Sequence, residues 1–215
     1  MIQFENVRRT YGEKVAVAGL TLEIPSGQLF AFLGPNGAGK TTTIKMIVGL
    51  LRPSSGTVRL CGHDVVADSR LANQLLGYVP DEAHLYDKLT GREFLQFIAD
   101  MYGLGKQAGD RQIAEAMANF ELDAFADDLT ESYSHGMKQR VAFAAAMLHE
   151  PKVLVIDEPM IGLDPRSIKM LKDLLRAKAK AGATIFMSTP QIARPCGTWA
   201  AIRSVCSAIT LPVVQ

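Results

Sequence analysis

Between the apolar run QLFAFL and the stretch TTTIKMIVGLL stands GPNGAGKT, at 34–41, which satisfies G-x-x-x-x-G-K-[ST] at every fixed position. No other feature constrains the fold as tightly, because the pattern needs a buried strand before it and a helix after it, and both flanks read that way. Gly34, Gly37 and Gly39 permit positive φ and leave room for the backbone to wrap an anion, with N–H groups and the helix N-terminus aimed at it. Pro35, Asn36 and Ala38 complete the loop. Lys40 is placed to reach β and γ phosphates, the Thr41 hydroxyl to sit on Mg²⁺, and Thr42 to bond the α-phosphate region. The pattern predicts a nucleoside triphosphate ligand; its plain alternative is a Gly-rich turn with a surface lysine.

Composition narrows the class without deciding it. The chain has 215 residues, 48% of them hydrophobic, enough for a substantial core in one domain or in one domain with a subdomain. With 23 basic and 22 acidic residues the formal charge is +1, so no global field favours nucleic acid or an anionic membrane. Cys61, Cys196 and Cys206 lack C-x-x-C spacing, which fits a reduced cytosolic setting rather than a disulfide framework or a zinc site. The N-terminal MIQFENVRRTYG shows no basic leader before an apolar run, and no later segment has the charge-free apolar length of a bilayer span. Work at a membrane would need another subunit to supply the span.

Along the chain, IQFENVRR and VAVAGLTLEI alternate as half-buried antiparallel strands do, with Tyr11 and Gly12 in the connection. RPSSG reads as a turn, TVRL as a strand, and LLGYVP as a strand ending at Pro80. From about 90 to 130, GREFLQFIADMYG and DRQIAEAMANF carry helical spacing on either side of GLGKQAGD, a helical insertion in an α/β core. Ser134 opens a helix over 134–149, KVLVIDEP is an apolar strand, Pro165 begins an amphipathic helix ending at Gly182, and TIFMST is a final core strand. Strands alternating with helices predict a largely parallel sheet in three layers.

Two further stretches carry chemistry. Asp157 and Glu158 end the strand VLVI; beside a phosphate loop, Asp157 can hold a Mg²⁺ shell and Glu158 can polarise an attacking water. Standing alone they would read as solvated acids at a strand end. In YSHGMKQR, at 133–140, a serine and a glycine meet a helix N-terminus, a second anion-binding end that in isolation would read as an ordinary cap.

The order of these motifs resembles the nucleotide-binding subunit of an ATP-binding cassette (ABC) transporter over residues 1–189. GPNGAGKTT resembles the Walker A motif, YSHGMKQR a divergent LSGGQ signature, VLVIDEP the Walker B strand with its catalytic glutamate Glu158, and GLDP at 162–165 the D-loop, while Tyr11 holds the place of the aromatic residue that stacks on adenine. The resemblance implies a P-loop NTPase core with an N-terminal antiparallel β subdomain, binding ATP and Mg²⁺. It implies a head-to-tail pair in which Ser134 and Gly136 of one subunit contact the γ-phosphate lying on Lys40 of the other, as a homodimer or a heterodimer. The helical insertion and the loop from Asp81 to Tyr86 would couple closure to a membrane-spanning permease, placing the chain on the cytoplasmic face of the membrane. The variant signature with His135 and Met137, and LYDKLTGREFL after GYVP, are similar to ATPases that serve exporters.

Two departures mark the resemblance. Asp81 stands where the family has a glutamine that senses Mg²⁺ and water; an acid there can still ligate a metal, directly or through water. After TIFMST the family presents a histidine to the γ-phosphate, whereas this chain reads Pro190 and then a 190–215 tail without Asp, Glu or Lys, holding the sole tryptophan, Trp199. Three accounts fit that break: a shift of reading frame near codon 190, a divergent end that packs on a partner, or an ATPase kept for binding or regulation. Losing one transition-state donor costs on the order of 100- to 1000-fold in rate, so the expectation is ATP binding with slow turnover. A soluble relative acting on DNA or ribosomes would call for tandem cassettes, a long coiled coil or basic patches, none of which the sequence carries.

Overall fold

The computed structural model describes residues 1–160 and 163–189 and the backbone of 206–210. Pro190, Trp199, Cys196 and Gly162 of GLDP lie outside the described residues.

The chain opens with a hairpin of β1 (Ile2–Tyr11) and β2 (Lys14–Ile24), joined through Gly12 at φ 57°. Ile2, Phe4 and Val7 turn inward and are buried while their neighbours face out, as a sheet packed on one face requires. β1 also pairs antiparallel with β4 (Ser55–Leu60), and β4 with the two-residue β5 (His63–Asp64), so the sheet runs β2-β1-β4-β5. Gly56 is compulsory there: at φ 80°, an added Cβ would stand 2.3 Å from the Asn6 carbonyl oxygen, at a register shift of β1.

The second sheet is parallel, in the order β6 (Leu76–Val79), β7 (Val153–Ile156), β8 (Thr184–Thr189), β3 (Leu29–Leu33), β9 (Cys206–Thr210). β3 and β7 are apolar throughout and, like β8, buried at every residue, because both faces are covered. Phe30, Phe32, Val153, Val155 and Phe186 join one core with α1 (Lys40–Ile47) and the antiparallel sheet. Leu29, Ala31, Leu33, Leu154, Ile156, Ile185 and Met187 join the other, under the remaining long helices. Phe186 stitches the first core together, 5.6 Å from Phe30, 5.2 Å from Phe32 and 6.4 Å from Phe4 between ring centroids.

α2 (Ser69–Gln74) precedes β6. α3 (Gly91–Met101) starts on a capping box in which Thr90 and Glu93 satisfy each other's backbone N–H, and α4 (Lys106–Asn119) lies beside it. α5 (His135–Met147) and α6 (Pro165–Lys180) cover the parallel sheet. Tyr133 fastens the insertion: its hydroxyl donates to the Phe125 carbonyl at 2.7 Å, lies 3.1 Å from the Asp128 carbonyl, and accepts from the Gly91 N–H at 3.1 Å. At its far end the Tyr102 ring lies flat on His149, 3.7 Å apart at 6°, and His149 Nε2 meets the Leu76 carbonyl at 3.1 Å.

Several expected boundaries move. Tyr11 belongs to β1 and pairs with Lys14, leaving only 12–13 as the turn. α1 stops at Ile47, because Gly49 takes φ 73° and breaks the helical path through GLL. KQAGD is the first turn of α4, and Gly109 there packs against Ala99 and Leu104. α5 ends at Met147, two residues before the expected end. TIFMST is followed by β9, from the atypical tail, which pairs with β3 in register Leu29↔Cys206 to Leu33↔Thr210.

Candidate nucleotide site

The loop between β3 and α1 is shaped by what its glycines avoid. Gly39, the residue before α1, has φ 85°, and a Cβ on it would come 2.4 Å from the Ala16 carbonyl oxygen of β2. Gly37 has open space around it but φ 84°, so there the conformation excludes a side chain. Lys40 is folded back into this loop, 5% exposed, its Nζ donating to the Gly34 and Pro35 carbonyls at 2.9 and 3.1 Å. Ala38 is buried and donates its N–H to the Pro35 carbonyl at 3.2 Å. The loop borders a cleft of about 540 Å³, lined also by Tyr11, Lys14 and Ala16 from the hairpin, Asn36, Thr41 and Thr42, and Glu158.

The acids arrive from β7, whose four residues are all buried, so the carboxylates are delivered at the strand's C-terminal end beside the loop. Asp157 is fully buried; Ser188 Oγ donates to its Oδ1, while Oδ2 has no partner in hydrogen-bond geometry. Burial pushes the Asp157 carboxyl above the usual carboxylate range, opposed by hydrogen bonding from Ser188 and the Thr41 side chain; Asp81 adds to the rise and Lys40 to the opposition. Glu158 sits at φ 47°, its N–H bonded to Ser188 Oγ at 3.0 Å, with Oε1 3.9 Å from Lys40 Nζ. Burial raises its carboxyl as well, against the pull of the Lys40 charge. Tyr78 is pushed up to about 12 by burial and then by Asp157 and Asp81, so Asp81 shares the electrostatic surroundings of both acids.

A divalent ion fits this arrangement. An orphaned, buried carboxylate oxygen beside a threonine hydroxyl is a hard-oxygen donor set of the kind a divalent cation takes. Among the described residues no three His, Cys, Asp or Glu side chains gather at metal-ligand spacing, so Asp81, Asp157 and Glu158 do not form a carboxylate cage.

Ser134 and Gly136 lie elsewhere. They line a separate concavity of about 330 Å³ with His135, Met137, Arg140, Asp164 and Ser167. Ser134 caps α5 by accepting from the Met137 N–H at 3.3 Å, and Asp164 caps α6 by accepting from the N–H groups of Arg166 and Ser167 at 2.9 and 3.0 Å. Hydrogen bonds from Ser167 hold the Asp164 carboxyl below its usual range. This concavity shares no lining residue with the Lys40 cleft. Ser188, Lys14 and Ala16 join the site without having been singled out in the sequence; the polar Ser188 inside the apolar TIFMST was the one available signal.

A parallel sheet carrying a phosphate loop at one strand end and paired acids at another, with an antiparallel sheet on one side, defines a P-loop NTPase. The profile of the family described as "ABC transporter" matches residues 17–161, and the chain belongs to that family. It is 38% identical over 189 residues to the linearmycin resistance ATP-binding protein LnrL of Bacillus subtilis, covering 88% of this chain and 61% of that protein. It is 40% identical over 188 residues to the Nod factor export ATP-binding protein I of Burkholderia orbicola, covering 87% and 62%. The chain thus spans less than two thirds of the length of these curated relatives. Among solved structures, an ATP-binding subunit of an ABC transporter superposes with TM-score 0.87 at 30% identity, over 98% of this chain and 85% of the other. A dimeric ATP-binding cassette in a post-hydrolysis state bound to ADP and Pi superposes with TM-score 0.81 at 26% identity, over 89% of each. No helix among the described residues is long and apolar enough to cross a membrane.

Proposed function

We propose that this chain binds and hydrolyses ATP as the motor subunit of an exporter, working through a separate membrane-spanning partner. The observation that carries this reading is the cleft in which Lys40 and Glu158 face each other at 3.9 Å across the loop that begins α1. Lys40 is already dehydrated, and its bonds to the Gly34 and Pro35 carbonyls are ones it can exchange for phosphate oxygens. Thr41 and Asp157 would hold Mg²⁺, which when bound neutralises charge on the phosphates. Glu158, its carboxyl raised by burial and drawn back down by the Lys40 charge, is the base that orients water and takes its proton. Tyr11, Lys14 and Ala16 form the side of the cleft where a base would rest.

Ser134 and Gly136 complete the site from a second subunit, a reading supported by their separation from the Lys40 cleft and by the dimeric structure of a similar cassette. The permease would seat in an apolar groove of about 350 Å³ between the insertion and the core, lined by Tyr78, Pro80, Leu85, Phe94, Ile98 and Tyr102. Export as the direction follows the name of the similar Burkholderia protein, a Nod factor export ATP-binding protein. The test is phosphate release by purified protein with MgATP: Glu158→Gln should lower turnover about 10²- to 10⁴-fold with ATP still bound, and full turnover in that variant would refute the reading.

A slower motor is favoured by one sequence observation, Pro190 directly after β8, where a side chain cannot donate to a γ-phosphate oxygen. Pro190→His should then raise turnover at least tenfold, from the size of one transition-state donor's effect; unchanged turnover would end that account.

A further inference from the structure

Tyr11 stands at the end of β1, lines the cleft and is 48% exposed as a residue. Its ring is not bare on both faces. The β1–β2 ladder shifts register between Arg9 and Thr10, and the Arg9 guanidinium carbon lies 4.7 Å from the Tyr11 ring centroid. Arg9 Nη1 donates to the Arg52 carbonyl at 2.9 Å, which anchors the guanidinium to the turn before β4. Its Nε is buried with no hydrogen-bond partner, and the electron-rich ring face of Tyr11 lies against the guanidinium. Tyr11 lines the cleft and Arg9 does not.

We propose that Arg9 is a positioning residue for nucleotide recognition: it backs the Tyr11 ring, fixes its tilt, and leaves the opposite face to stack on a purine base. This rests on the reading of Tyr11 as the base-stacking residue. A cation on one face draws electron density from the ring, which strengthens offset stacking of an electron-rich base on the other. The anchor at Arg52 also means that the ring is ordered before nucleotide arrives, so less freedom is lost on binding. Arg9 is here a support for the base alone, with no role toward the phosphates, whose ligands lie across the cleft on the loop at 34–42.

The full chain is titrated by calorimetry with MgATP and, separately, with Mg²⁺-tripolyphosphate, which has the phosphates without the base. Arg9→Ala should weaken ATP binding roughly three- to fivefold, the effect of one partly exposed cation–π contact, and leave tripolyphosphate affinity unchanged. Arg9→Lys should keep part of the affinity, and Arg9→Gln, which retains a donor for the Arg52 carbonyl without the charge, should lose as much as Arg9→Ala; it carries the test if Arg9→Ala does not fold. Tyr11→Ala should weaken ATP alone, and Arg9→Ala added to it should cost nothing further. If Tyr11→Ala leaves ATP affinity intact, the base-stacking reading fails and the role of Arg9 with it. If Tyr11→Ala weakens ATP while Arg9→Ala does not, or if the two losses add in full, only the role of Arg9 is overturned. An equal loss of ATP and tripolyphosphate affinity in Arg9→Gln would make Arg9 a strut of the hairpin, which also overturns it.

Discussion

Ser188 holds the two acids of the cleft at once, donating its hydroxyl to Asp157 and accepting the backbone N–H of Glu158. Both bonds are needed because of where the acids stand. Asp157 is fully buried with one oxygen unpartnered, and Glu158 occupies a φ of 47° that a non-glycine residue adopts only when its surroundings compel it. Ser188→Ala removes a bond to a buried carboxyl, which costs about 1–3 kcal/mol, and frees the Glu158 backbone. The expected outcome is a lower urea midpoint together with a fall in turnover larger than the fall in ATP affinity, since Lys40 and the loop at 34–42 are untouched. Equal losses in both would assign Ser188 to stability alone.

Among the elements, the segment that joins α4 to α5 has the most consequence for its size. Tyr133 immediately precedes Ser134, and its buried hydroxyl ties that segment to the first residue of α3 and to the carbonyls of Phe125 and Asp128. Tyr133→Phe leaves the Gly91 N–H unpaired in the interior, while the Phe125 carbonyl keeps the Asp128 N–H, a loss of about 1–3 kcal/mol. It should also reduce turnover with nucleotide affinity preserved, measured by urea unfolding beside ATP titration. These elements were legible to different degrees. GPNGAGKT could be read as a loop between strand and helix because that signal is local: Gly37 and Gly39 take the positive φ that only the loop needs. The strands β3, β7 and β8 could be read because buried parallel strands are continuously apolar, and β1 and β2 because they alternate. β5, with two residues, and α2, with six, are too short to show a period. β9 was missed because the pairing of Leu29 with Cys206 is a contact between distant parts of the chain that no local pattern announces. Lys14 and Ala16 were missed for the same reason: they enter the cleft by the folding of the hairpin over the loop, visible only in the 2.4 Å that a Cβ on Gly39 would leave to Ala16.

At the scale of the whole molecule, the chain carries two concavities that do not meet. The Lys40 cleft and the Ser134 concavity have separate linings, so a pair of subunits related head to tail would build two composite sites. Lys40→Ala and Ser134→Ala proteins should each be inactive alone. Mixed in equal amounts, half of the pairs are hybrids, and each hybrid has one site with both defects and one with none. Phosphate release should therefore recover to about a quarter of the wild-type rate if the sites act independently; no recovery on mixing would place both residues in the same site. The Tyr102–His149 stack lies where the insertion joins the core. Two flat rings in face contact resist being parted, since parting them exposes apolar surface, yet they can rotate past one another about their common normal with little change in contact. At that junction a swivel of the insertion in the plane of the rings would cost less than a gape that parts them.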